Sequence, residues 1–107
     1  MQIQISGHQV EITPALRSHV ESRLDRFERH LDSLTSLNVV LTVEKLQHRA
    51  DGTLTGTGCV LHANANEADM YSSIDVMMDK LLQQLRKHRE KQQSHRDQAK
   101  VREARYG

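Results

Sequence analysis

The chain has 107 residues, 36% of them hydrophobic, and a formal net charge of +1, enough for one domain with a small core and too little for two. It has no Trp and three aromatic residues (Phe27, Tyr71 and Tyr106), so aliphatic side chains and Met must fill the core, and base stacking on an aromatic platform is not expected. No run approaches the ~20 apolar residues of a membrane span, the N-terminus has no cationic segment followed by an apolar stretch, and Cys59 has no internal disulfide partner, so we expect a cytoplasmic protein.

In chain order, "QIQIS" at 2–6 alternates polar and apolar residues and predicts a short strand that half-buries Ile3 and Ile5. The period then changes, because Leu16, Val20, Leu24, Phe27 and Leu31 recur at helical spacing and predict an α-helix from 14 to about 31. Thr13 suits the N-cap, and Pro14 suits the first helical position, where its missing N–H has no acceptor to lose. "SLNVVLTVEKL" returns to period two, with Leu37, Val39, Leu41 and Val43 on one face. Asp51-Gly52 reads as a turn, "TLTGT" as a strand weakened by Gly56, and "CVLHANA" as a strand with Cys59, Leu61, Ala63 and Ala65 on one face and His62 on the wet one. Met70, Ile74, Met77, Met78, Leu81 and Leu85 then mark a second helix, with Asp69 as its N-cap. Beyond it, residues 96–107 are almost without apolar content and read as a polar, disordered tail after a domain spanning 1–95.

The predicted class is therefore α+β, ordered β-α-β-β-β-α, with a four-stranded sheet carrying both helices on one face. The first helix forms a crossover that makes the first two strands parallel neighbours.

Charge is distributed unevenly. Residues 1–79 carry 6 Lys/Arg against 11 Asp/Glu, and residues 80–107 carry 9 against 3. Such a dipole suggests an oriented contact with an anionic partner. On the first helix His19, Arg23, Arg26 and His30 follow one row, and on the second Lys80, Lys87 and Lys91 follow another, each about 100° around from the buried stripe. We expect the two rows to merge into one outward strip that neutralises nucleic-acid phosphates. The bland alternative is a solvated face with intrahelical pairs such as Arg17 with Glu21. Catalysis has little support. The seven His residues are scattered without zinc-site spacing, Cys59 lies mid-strand, and no phosphate loop or nucleophile elbow is present, so no catalytic residue, metal or cofactor is expected.

The segments "GHQVEITPALRSHVESRLDRFERHLD", "VVLTVEKLQH" and especially "DMYSSIDVMMDKLLQQLRKHREK" resemble the short-form ribosome hibernation promoting factors of bacteria, in the ribosome-associated inhibitor and sigma-54 modulation protein family, over residues 1 to about 95. The resemblance implies the same sheet-and-helix-pair architecture, comparable to a double-stranded-RNA-binding fold. It also implies a non-enzymatic stationary-phase protein that fills the decoding cleft of the small ribosomal subunit, blocks messenger and transfer RNA, and halts translation. By position, Arg17, Arg23, Arg26, Lys80, Arg86, Lys87, Arg89 and Lys91 become RNA-binding candidates on the helices, and Lys45 and His48 at the end of the second strand. Gln83 departs from the pattern, since a basic residue is familiar there.

The implied partners are the small subunit, its ribosomal RNA and a separate ribosome modulation factor that helps pair inactive ribosomes, with the free protein a monomer. The alternative within the family is a ribosome-associated inhibitor whose tail opposes dimers. A reading from another class is a module docking its basic helix on an acidic partner or membrane, which would need an apolar face left bare at Met77 and Leu81.

Overall fold

The computed structural model describes the backbone of residues 1–106 and the side chains of residues 1–90. The elements are β1 (Gln2–His8), α1 (Pro14–Arg23), a 3-10 helix η1 (Leu24–Ser33), β2 (Leu34–Glu44), β3 (Gln47–Gly56), β4 (Cys59–Glu67) and α2 (Met70–Tyr106). The strands form one sheet in the order β1-β2-β3-β4, with β1 parallel to β2 and the remaining pairs antiparallel. This is the predicted α+β arrangement. The tail expected over 96–107 lies outside the described side chains.

Local chemistry explains both helix starts. Thr13 Oγ1 accepts from Leu16 N at 3.2 Å, with Pro14 opening α1. Asp69 accepts from Ser72 N at 2.9 Å and from Ser72 Oγ at 2.8 Å, and these bonds hold its carboxyl below the usual carboxylate range. One core unites the two layers. Leu37, Val39 and Leu41 of β2, Ala50 and Leu54 of β3, and Ala63 and Ala65 of β4 pack with Leu16, Val20 and Phe27 from the first helical segment and with the stripe from Met70 to Leu85 on α2. The opposite sheet face stays wet, and its His62 is exposed as expected. Ser73, fully buried, donates to His48 O at 2.5 Å and accepts from Glu67 N at 3.0 Å, which fastens the start of α2 to β3 and β4.

Two local expectations are corrected. The α-helix expected to run to about residue 31 ends at Arg23 and continues as the 3-10 segment η1. At three residues per turn, Leu24, Phe27, His30 and Ser33 stack along one line, which carries Leu31 off the buried face; Leu31 is 40% exposed. The turn expected at Asp51-Gly52 is instead the middle of β3, and the chain reverses at Lys45-Leu46, where Lys45 has φ 57°. Gly52 serves packing there, since a Cβ would run into the Met77 sulfur and lie 3.0 Å from Leu81 Cδ1.

Candidate nucleic-acid interface

The two helical segments lie side by side, and the seam between them sorts the cationic residues into different environments. In its upper part, the row running from α1 into η1 meets carboxylates projected by α2 at positions 75 and 79. Arg23 donates to Asp75 through Nε at 2.6 Å and Nη2 at 3.4 Å, His19 Nε2 lies 2.8 Å from Asp75 Oδ1, and Arg26 bonds to Asp79. The Arg23 guanidinium beside it is the main reason the Asp75 carboxyl lies below its ordinary range, and the same bond raises Arg23. His19 also stacks edge-on against Tyr71, with ring centroids 5.0 Å apart.

The row on α2 occupies the opposite flank. Lys80 Nζ donates to Asn64 O at 2.9 Å, and Gln84 Nε2 donates to His62 O at 2.8 Å. These are outward carbonyls of β4, the edge strand, so the row covers a sheet edge that would otherwise be open to pairing with another strand. The expected single strip is therefore not present among the described residues: His19, Arg23 and Arg26 meet carboxylates inside the seam, and Lys80 lies on the other flank along β4. The cause is that helix periodicity gives only the angle from each helix's own core stripe. Which flank meets the neighbouring helix depends on how the pair is laid on the sheet.

Lower in the seam the pattern changes. A cleft there is lined by Asp25, Arg26, Glu28, Arg29, His30 and Arg86. Among the described residues, no carboxylate lies within ion-pair distance of Arg29, Arg86 or Arg89. Arg89 reaches the end of η1, where it donates to Ser33 Oγ, and Ser33 Oγ in turn donates to His30 O at 3.0 Å. Burial, then the charges of Arg89, Arg86 and Arg29, push His30 below the usual histidine range.

The remaining candidates are dispersed. Arg17 is exposed and pairs with Glu21 at 4.0 Å. Lys45 sits at the exposed hairpin tip, and His48 is half-buried near the start of α2, at the end of the sheet away from Arg89. Lys87 is exposed one helical repeat beyond Lys80, while Lys91 lies outside the described side chains. Arg29 and His30 join the cleft; His30 stood in the expected row without being named an RNA-binding candidate, and Arg29 stood outside both. Arg29 precedes the expected row by one position, and its contribution depends on the 3-10 winding. Met77 and Leu81 are fully buried, so among the described residues α2 has no bare apolar face there for a membrane or an apolar groove.

Residues 3–93 match the model of the sigma 54 modulation protein / S30EA ribosomal protein family. The chain is 51% identical over 92 residues to the ribosome hibernation promoting factor of Azotobacter vinelandii, covering 86% of each chain. It is 44% identical over 95 residues to that of Escherichia coli strain K12, covering 89% of this chain and all of the relative. Among solved structures, it is similar to a ribosomal subunit interface protein from Coxiella burnetii (TM-score 0.78, 34% identity, 83% of this chain and 98% of that one). It is also similar to the N-terminal domain of Thermus thermophilus Protein Y (TM-score 0.77, 31% identity, 82% and 99%).

Proposed function

We propose, from the premise that this chain belongs to the sigma 54 modulation protein / S30EA ribosomal protein family, that it is a non-enzymatic ribosome hibernation protein of the cytoplasm. It acts by occupying the small subunit's decoding cleft, where messenger and transfer RNA would otherwise sit, and promotes inactive ribosome pairs with a ribosome modulation factor. One observation carries the binding mode: guanidiniums at the lower seam have no carboxylate partner among the described residues, while Arg23 and Arg26 in the upper seam do.

Counterion release on phosphate neutralisation supplies affinity without sequence readout, which suits folded RNA and a chain with little aromatic surface. Arg86 and Arg89, with Lys87 and Lys91 further around the same helix, make the first phosphate contacts. Lys80 and Arg17 lie at the margins, Arg23 and Arg26 engage once their carboxylates give way, and Lys45 and His48 reach RNA beyond the opposite end of the sheet.

The test is co-sedimentation with purified small subunits across a salt series. Association lost at high salt and weakened by Arg86→Glu or Lys87→Glu supports the proposal; tight, salt-insensitive association contradicts it. The same gradients run on whole ribosomes with modulation factor, using chains with and without residues 96–107, report whether the tail favours or opposes pairing.

A further inference from the structure

We propose that the lower seam between η1 and α2 is a seat for a single phosphate group, held by Arg29, Arg86, Arg89 and the imidazole of His30, and that its occupancy is coupled to a proton on His30. The inference rests on the ribosome-binding reading only for the source of the phosphate, which we assign to an RNA backbone; the seat itself follows from the geometry.

Three observations converge. The cleft is concave and joins two elements, with Arg29 and His30 contributed by η1 and Arg86 by α2. Arg89, whose charge acts on His30, donates to Ser33, and the Ser33 hydroxyl is bonded to the His30 carbonyl, so this guanidinium is positioned before any ligand arrives. Finally, His30 Nδ1 is buried and has no hydrogen-bond partner among the described residues. A buried imidazole nitrogen without a partner is an unmet hydrogen-bonding demand. An anion beside it accepts a proton from the ring once the ring is charged.

The charged groups around His30 are Asp25, Arg26, Glu28 and Arg29 on η1, and Arg86 and Arg89 on α2. Burial is the first reason the ring favours its neutral form, and the charges of Arg89, Arg86 and Arg29 add to it. A phosphate reverses this balance: its negative charge offsets the three guanidiniums and stabilises the imidazolium. Binding therefore takes up a proton at His30, and the seat tightens as the solution becomes more acidic. Sequence-independent attraction to the helices at large has no such signature, since arginine and lysine stay charged across this range.

The experiment is an NMR titration of His30 in the full chain from about pH 5.5 to about pH 8, alone, with inorganic phosphate, and with a short RNA hairpin. The expected result is a rise in the His30 midpoint with phosphate and with RNA, while His8 and His62, away from the seam, hold theirs. Each unit of rise corresponds to about tenfold tighter binding at the acid limit than at the alkaline one. Arg86→Gln, on an exposed side chain, reduces the rise, and His30→Gln removes the tightening of hairpin binding toward acid, which the phosphodiester's own constant charge cannot supply.

A response to inorganic phosphate alone supports the seat and assigns it to a free phosphate. No response to either ligand, or an equal response of His8 and His62, overturns it. Co-sedimentation with ribosomes that persists alongside an unresponsive His30 sinks the seat and spares the ribosome reading. Lost co-sedimentation with a responsive His30 does the reverse.

Discussion

Arg23 on α1 and Asp75 on α2 lie 52 positions apart in the chain and meet across the helix seam, Nε to Oδ1 at 2.6 Å. His19 joins the same carboxylate, so Asp75 ties two turns of α1 to α2. The pair is partly exposed, which limits its worth to the upper part of the surface-pair range.

Asp75→Asn is therefore expected to lower unfolding free energy by about 1 kcal/mol in urea titrations. The sign of its pH dependence follows from the lowered carboxyl. As pH falls, the unfolded chain takes up the proton first, so the stabilisation is complete above the ordinary carboxylate range near pH ~4 and is lost through Asp75's own lower range. The acid limb of stability should be shallower in the variant; an unchanged limb would show that the pair contributes nothing.

Asp79 holds Arg26 at the border of the lower cleft. Asp79→Asn removes one negative charge and releases that guanidinium, so RNA binding should tighten and the slope of log affinity against log salt should steepen by about one. Filter binding over a salt series reads both. Weaker binding would mean that Asp79 presents Arg26 to the ligand instead of withholding it.

Gly52 sits where Met77 and Leu81 of α2 pack against β3. Gly52→Ala should destabilise by about 1–3 kcal/mol by overpacking against Met77 and Leu81. Met77→Ala in the same chain should recover part of that loss, giving a non-additive double-mutant cycle. Additive losses would place the strain elsewhere.

Ser73→Ala removes the hydroxyl that serves both His48 O and Glu67 N in the core. Leaving these backbone groups without their partner should cost about 1–3 kcal/mol. Hydrogen exchange should quicken first at the Glu67 amide, which loses its acceptor; unchanged protection there would mean that another group takes over the bond.

Much of this architecture was legible in the residues. The period-two run at Leu37–Val43, the helical stripe from Met70 to Leu85, Thr13 and Asp69 as caps, and the parallel placement of β1 beside β2 all follow from chemistry within a few residues and from chain connectivity. Gly52 misled because Asp-Gly is a strong local turn signal, and the requirement it meets, room for Met77, lies 25 positions further along the chain. Leu31 misled because the α and 3-10 periods differ by little over one turn and diverge over two.

The sequence by itself determined the elements, the core stripes and the family pattern, because each depends on periodicity and short-range chemistry. The tertiary structure alone decided which charges are free. Periodicity sets a side chain's angle to its own helix's core but not the neighbour it will face, so the carboxylates at 75 and 79 took Arg23 and Arg26, Lys80 went to the β4 edge, and Arg29, Arg86 and Arg89, without a carboxylate partner among the described residues, came to act on His30.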